Sequence, residues 1–221
     1  MRPMRLLPVT AASIAVSLSI ASCHVSDEGN PSSELPQTSG SETSSSASPE
    51  PHPAEIARDL PRSATPLEVG TAAPAFRLST ATETFGSADA LRGGPVVLVF
   101  YIGDFCIYCR RQLEQIQSRI QDFQGAHATV WAISADAPST SAALKRTLHL
   151  DFALPSDQDL TVIRAFGVES SGAGVALPSV FVLQPDGAGG RISYRHVGAN
   201  QADRAGVDEI LTAVRAAAAA H

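Results

Sequence analysis

Two cysteines separated by two residues, Cys106 and Cys109, are the side chains of this chain best suited to covalent chemistry. They follow an apolar run at 95–101, and apolar residues with helical spacing follow them, so a buried strand should lead into an amphipathic helix at the pair. A helix N-terminus stabilises a thiolate, and Arg110 and Arg111 add positive charge beside it. Because two neighbouring thiols can close a disulfide, the motif predicts reversible thiol-disulfide chemistry.

A Cys-x-x-Cys motif also fits a structural disulfide or one half of a zinc site. A structural zinc ion takes about four ligands. The chain contains three cysteines, and the third, Cys23, is far from the pair in sequence. No second Cys or Cys/His pair accompanies the motif, so we predict a redox-active site without a metal or other cofactor.

The first 22 residues have the pattern of an export signal. Arg2 and Arg5 precede an apolar stretch at 9–20, which is too short for a stable transmembrane helix. Small residues then lead to Cys23, and this ending resembles the lipobox of bacterial lipoproteins, whose cysteine is acylated. We expect residues 1–22 to be removed and Cys23 to anchor the exported chain to a bacterial membrane, with its domain facing the periplasm or the cell exterior. An ordinary secretory signal is the alternative.

A polar segment should connect this anchor to a folded domain. Ser, Pro, Glu, Thr and Gly dominate residues 23–65, which are therefore predicted to form a disordered tether. Residues 66–221 are enough for one domain with a single core. The formal net charge of −6 disfavours nucleic acid and anionic lipid surfaces as partners. Contact with the membrane would then be covalent.

The order of the predicted elements in this domain is that of an α/β fold. Strands are expected at 95–101, 129–134, 152–154, 179–183 and 191–197, and helices at 87–91, after the first cysteine, at 139–148, 157–166 and 203–219. Parallel crossovers followed by a terminal antiparallel hairpin predict a central mixed sheet flanked by helices, a three-layer sandwich of the thioredoxin kind.

Three segments of the domain carry motifs that occur together in a known family. They are Val-Gly-x-x-Ala-Pro-x-Phe-x-Leu at 69–78, Leu-Arg-Gly-x-Pro-Val-Val-Leu-Val-Phe-Tyr at 91–101, and Tyr-x-Gly-Asp-Phe-Cys-x-Tyr-Cys-x-x-Gln-Leu at 101–113. Together they resemble the alkyl hydroperoxide reductase / thiol-specific antioxidant (redoxin) family, and the third is similar to a peroxiredoxin-like branch with a Cys-x-x-Cys. The resemblance implies a thioredoxin-like fold with an N-terminal extension of the redoxin type.

This resemblance leaves two assignments for the attacking cysteine. Peroxiredoxins carry a Thr three residues before the peroxidatic cysteine, which places Cys109 on that cysteine and Cys106 on the Thr. Thioredoxins attack with the first cysteine of the pair, here Cys106. Pro178 stands where peroxiredoxins have a peroxide-polarising Arg and thioredoxins a cis-proline. Both departures, Cys106 at the position of the Thr and Pro178 at the position of the Arg, favour a thiol-disulfide oxidoreductase, which the anchor on Cys23 would tether to the membrane. Cys106 would then be an exposed nucleophile and Cys109 the resolving cysteine. We also expect a cis peptide bond before Pro178, beside the thiols.

The remaining expectations concern neighbouring side chains and partners. Tyr108 should tune the reduction potential of the pair, and a protein disulfide would be the substrate, with an upstream thiol reductant that the sequence does not identify. A thiol peroxidase that reduces hydroperoxides is the alternative, in which Arg110 or Arg111 would replace the missing Arg. A copper(I)-binding chaperone is a second alternative, and His196 is its nearest candidate for a third ligand.

Overall fold

The computed structural model describes residues 60–187 and 189–220, so the predicted signal peptide, Cys23 and most of the tether lie outside the described residues. The strands are β1 (Arg77–Ser79), β2 (Thr84–Gly86), β3 (Val96–Phe100), β4 (Thr129–Ile133), β5 (Ser179–Gln184) and β6 (Arg191–Val197). The helices are α1 (Ser87–Leu91), α2 (Ile107–Ser118), α3 (Ile120–Gly125), α4 (Pro138–Thr147), α5 (Thr161–Ala165) and α6 (Val207–Ala219). None of these helices is long and apolar enough to cross a bilayer.

Four of the strands form a mixed sheet in the order β4-β3-β5-β6. β3 is parallel to β4 and antiparallel to β5, and β6 completes an antiparallel hairpin with β5. β1 and β2 form a separate two-stranded hairpin. The predicted α/β fold with a central mixed sheet flanked by helices is confirmed.

The two faces of β3 belong to two separate cores, since successive side chains of a strand point in opposite directions. Val97 and Val99 pack on one face with residues of α2, α3 and α6. Phe100 faces the other core, where its ring centroid lies 5.4 Å from that of Phe166 and 5.9 Å from that of Phe181. All five residues of β3 are buried. This packing fixes the carboxyl end of β3, from which the Cys-x-x-Cys segment leaves.

Two helices start later than the sequence predicts. The helix expected at 157–166 begins at Thr161, and the carboxylate of Asp157 accepts hydrogen bonds from the backbone N–H groups of Val162 (3.2 Å) and Ile163 (2.7 Å). Asp157 therefore satisfies free N–H groups at the helix start and is not part of the helix. The last helix begins at Val207, which leaves a loop at 203–206 before it.

A short segment at the end of the predicted tether, 60–65, is ordered against the domain. The backbone N–H of Leu60 donates to the carbonyl of Ala199 (2.7 Å), and that of Ser63 to the carbonyl of Glu169 (3.1 Å). These contacts lie on the tether side of the boundary predicted at 66. Composition alone suggested a tether here because backbone hydrogen bonds, which do not depend on apolar side chains, hold much of this segment.

Candidate active site

The Cys-x-x-Cys pair lies just beyond the carboxyl end of β3. The backbone N–H of Tyr101 still donates to the carbonyl of Ile133 (3.0 Å), and the chain then turns so that the N–H of Cys106 reaches the carbonyl of Gly103 (3.2 Å). Cys106 is the N-cap residue of α2, and Cys109 lies in the first turn of that helix. Both cysteines are free thiols at a helix start, where the helix dipole favours a thiolate.

The two sulfurs are enclosed to different degrees. Cys106 is 5% exposed and Cys109 is fully buried. The Sγ of Cys106 accepts a hydrogen bond from the backbone N–H of Cys109 at 3.2 Å, which caps the helix. The expectation of an exposed Cys106 thiol is therefore wrong, because the sulfur turns inward to satisfy this N–H group.

One arginine joins both sulfurs. The Nη2 of Arg204, in the loop before α6, lies 3.2 Å from the Sγ of Cys109 and 3.5 Å from the Sγ of Cys106. Arg204 is not predictable from the sequence, because it lies 95 positions after Cys109 and its only local feature is a polar loop between the last strand and the last helix.

A buried glutamine holds the loop that carries this arginine. Gln112 is 4% exposed and lies one helical turn after Cys109. Its Oε1 accepts a hydrogen bond from the Nη1 of Arg204 (3.4 Å), and its Nε2 donates to the carbonyl of Ala205 (3.4 Å). Gln112 therefore links α2 to the loop and orients the guanidinium toward the sulfurs.

These contacts shift the pKa values of the two thiols in opposite directions. A hydrogen bond from Cys106 and the positive charge of Arg204 outweigh the effect of burial and lower the pKa of Cys109 to about 6. The hydrogen bond to Cys109, together with burial, raises the pKa of Cys106 above its ordinary value. These contacts therefore favour the thiolate at Cys109 over the thiolate at Cys106.

A half-buried acid, Asp136, lies against the loop between β3 and α2. Its carboxylate accepts a hydrogen bond from the hydroxyl of Ser134 (3.0 Å), and burial raises the pKa of Asp136. A Cβ atom added at Gly103 would lie 3.2 Å from the Asp136 Oδ1, which shows how closely the loop passes this carboxyl. Asp104, in the same loop, is half-buried as well.

The other predicted site residues lie around the pair without binding the sulfurs. Tyr108 is half-buried and packs against the core on the α2 side of the sheet. Arg110 is half-buried and Arg111 is exposed, and Arg204 is the arginine that bonds to the thiols. The Nε2 of His196 lies 3.0 Å from the Asp203 carboxylate. No group of three potential metal ligands occurs within the described part of the chain.

Pro178 does not have the predicted conformation. The peptide bonds of the described residues are all trans, so the expected cis bond before Pro178 is wrong. The N–H of Leu177 donates to the carbonyl of Val168 (2.7 Å), and the carbonyl of Pro178 accepts from the N–H of Gly198 (2.8 Å). These bonds fix the chain on both sides of the Leu177–Pro178 bond as it enters β5. The main structural reason for preferring thioredoxin chemistry is thereby removed.

Known proteins resemble this domain in sequence. The model of the AhpC/TSA family matches residues 69–188, which is more than half of the chain. The mitochondrial thioredoxin-dependent peroxide reductase of Homo sapiens is 28% identical over 137 residues, covering 59% of this chain. The chain spans about half the length of that relative, 52%.

Two solved structures share the fold. Peroxidoxin BcpB from Mycobacterium tuberculosis gives a TM-score of 0.60 at 22% identity and covers 68% of this chain and 97% of its own. Enterococcus faecalis AhpC gives a TM-score of 0.60 at 20% identity and covers 67% and 90%. The family resemblance read from the motifs is confirmed: this chain belongs to the AhpC/TSA family.

Proposed function

We propose that this chain is a peroxiredoxin-like thiol peroxidase in which the thiolate of Cys109 reduces hydroperoxides. The observation that carries the proposal is the guanidinium of Arg204, which lies within hydrogen-bond distance of both sulfurs. It supplies the positive group that is missing from the position of Pro178. The name of the human relative, a peroxide reductase, supports the same chemistry.

The reaction proceeds in two steps on the two cysteines. The thiolate of Cys109 attacks the terminal oxygen of the hydroperoxide, the O–O bond breaks, and Cys109 becomes a sulfenic acid while an alcohol or water leaves. The thiol of Cys106 then attacks the sulfenic sulfur, which closes the Cys106–Cys109 disulfide and releases water. Two electrons have passed from the pair to the peroxide, so a dithiol or two monothiols must return two electrons and two protons before the next turnover.

Arg204 has two tasks in the first step. Its charge favours the thiolate over the thiol, and the pKa of Cys109 is lowered to about 6. As the O–O bond breaks, negative charge develops on the leaving oxygen, and a fixed guanidinium in a buried site stabilises that charge without reorganising. Gln112 keeps the guanidinium in place through its Oε1.

The disulfide reductase reading is less well supported. It requires Cys106 to attack as an exposed thiolate, but Cys106 is 5% exposed. The hydrogen bond to Cys109 raises the pKa of Cys106, so this thiol is the poorer nucleophile of the two at neutral pH.

A comparison of two rates tests the proposed function. The reduced protein should consume hydrogen peroxide or an organic hydroperoxide much faster than it reduces a protein disulfide such as insulin. Because only the thiolate reacts, the rate with peroxide should rise with pH around a midpoint of about 6 and level off above neutrality. Stopped-flow kinetics with peroxide between pH 4.5 and 8.5 give the rate and its pH dependence, and the rate of insulin reduction is measured for comparison. Faster insulin reduction, or a midpoint above pH 8, would argue against the proposal.

We also propose that the exported chain is anchored to a membrane through an acylated Cys23. This proposal rests on the small residues before Cys23 and on the cysteine count, since acylation leaves only the reactive pair as thiols. In a bacterial host, the full chain should partition into the detergent phase and Cys23→Ala should move it to the aqueous phase, with Cys106→Ala as the matched control. A mature chain that begins at a residue other than Cys23 and carries no acyl group, as determined by mass spectrometry, would contradict the anchor.

A further inference from the structure

We propose that Asp203 is a positioning residue, which shapes the turn at 198–204 so that Arg204 reaches the two sulfurs. The inference rests on the proposed function in one respect, because Arg204 is the group that assists the reaction of Cys109 with peroxide. The contacts of the Asp203 carboxylate, the closure of the turn and the support of the turn by the sheet are separate observations behind it.

Both carboxylate oxygens of Asp203 are engaged beside Arg204. The Oδ2 accepts a hydrogen bond from the backbone N–H of Ala199 at 2.8 Å, which closes the turn. The Oδ1 lies 3.0 Å from the Nε2 of His196, a residue near the end of β6. Asp203 therefore ties the position directly before Arg204 to the last strand of the sheet.

Further hydrogen bonds within the turn set the direction of the guanidinium. The Oδ1 of Asn200 accepts a hydrogen bond from the N–H of Asp203 at 3.0 Å. The carbonyl of Gln201 accepts one from the Nε of Arg204 at 3.0 Å. The turn thus holds one side of the guanidinium while Gln112 holds another. A turn that loses its shape would move the Nη2 away from the sulfurs.

The turn fits closely against Pro178, which occupies the position where the family resemblance leads one to expect an Arg. The N–H of Gly198 donates to the carbonyl of Pro178 at 2.8 Å. A Cβ atom added at Gly198 would lie 3.0 Å from the Cγ of Pro178 and 2.5 Å from the carbonyl oxygen of Asp203, so only glycine fits there without a shift. Pro178 therefore supports the turn from which Arg204 extends.

Asp203 has two opposite effects on the thiolate of Cys109. Its negative charge by itself disfavours a nearby thiolate, so removal of that charge alone would lower the pKa of Cys109. Its hold on the turn favours the thiolate, because it keeps the positive charge of Arg204 at 3.2 Å from the sulfur. Removal of a positioning residue therefore raises the pKa of Cys109. The sign of the shift separates the two roles.

The test measures this pKa by thiolate absorbance at 240 nm between pH 4 and 9, on the reduced full chain. All variants carry Cys23→Ala, so that the pair supplies the only thiols. Asp203→Asn keeps an oxygen for the N–H of Ala199 but removes the charge that faces His196, and Asp203→Ala removes both. In Asp203→Ala we expect the pKa of Cys109 to rise by about one unit, with a smaller rise in Asp203→Asn.

Arg204→Leu provides the background that identifies the route of the effect. If Asp203 acts through Arg204, Asp203→Ala should cause no further rise in the pKa once position 204 is leucine. Asp208→Asn is the matched control. It neutralises another carboxylate near the start of α6, but its partner is Arg119, at 2.7 Å. This control should leave the pKa of Cys109 unchanged.

Three results would overturn the inference. They are an unchanged or lower pKa in Asp203→Ala, an equal rise in the Arg204→Leu background, and an equal rise in Asp208→Asn. Circular dichroism verifies folding, and Asp203→Asn decides the sign of the shift if Asp203→Ala does not fold. No peroxide enters these measurements. If the expected shifts occur in a protein that does not consume peroxide, only the proposed function fails.

Discussion

Replacement of Cys109 by serine should abolish peroxide consumption, whereas replacement of Cys106 should leave the first step intact. Cys109 is the thiolate beside Arg204, so its removal takes away the nucleophile. Without Cys106, the sulfenic acid on Cys109 has no partner thiol and accumulates. In single-turnover experiments, Cys106→Ser should consume about one equivalent of peroxide and react with dimedone, and Cys109→Ser should do neither.

The same pair of variants separates the two enzyme classes. A disulfide reductase that attacks with Cys106 gives the opposite pattern: Cys106→Ser is inactive and Cys109→Ser traps a mixed disulfide with the substrate. Peroxide consumption that persists in Cys109→Ser and disappears in Cys106→Ser would reverse the assigned roles. Thiol alkylation of both variants under denaturing conditions verifies that the remaining cysteine is reduced at the start.

Arg204→Leu should lower the second-order rate constant with hydrogen peroxide about 100-fold, the scale seen when one fixed donor to a developing negative charge is removed. The pKa of Cys109 should rise at the same time, since the positive charge near its thiolate is lost. Thiolate absorbance at 240 nm as a function of pH measures this shift separately from turnover. Part of the rate loss at pH 6 to 7 should then be recovered at higher pH.

Two further variants control for charge and for position. Arg111→Leu removes an exposed arginine from the same end of α2, and it should leave both the rate and the pKa of Cys109 unchanged. Gln112→Leu keeps the charge of Arg204 but removes its link to α2, so it should produce a smaller change in the same direction. If Arg204→Leu leaves both the rate with peroxide and the pKa of Cys109 unchanged, the contact of Arg204 with the sulfurs no longer supports a peroxidase.

Much of the fold is predictable because it follows from apolar periodicity. The run at 95–101 is apolar at every position and rich in β-branched and aromatic residues, which favours a strand buried on both faces, and β3 is such a strand. The starts of α5 and α6 were placed too early because polar residues such as Asp157 precede them and suit a cap as well as a helix. The packing of 60–65 depends on backbone hydrogen bonds that side chains do not encode.

Only the part of the site that lies within one short sequence segment, the Cys-x-x-Cys pair, is predictable from the sequence. Cys106 and Cys109 are adjacent in sequence and lie on one helix start, so their spacing alone indicates the pair. Arg204 reaches them from a distant loop, and that contact exists only after α6 packs against the sheet. The reasoning from Pro178 failed because an X–Pro sequence permits a cis bond without requiring it, and neighbouring backbone bonds here hold the trans form.

In the proposed peroxidase, the position of both cysteines within one helical turn determines how the site responds to excess oxidant. A sulfenic acid on Cys109 forms beside the thiol that condenses with it, and no segment of another loop or subunit has to travel to the site. A second peroxide molecule must arrive from solution to produce the irreversible sulfinic acid, and the buried sulfur limits its access. The short path between the sulfurs would therefore protect the proposed peroxidase from inactivation during an oxidant burst.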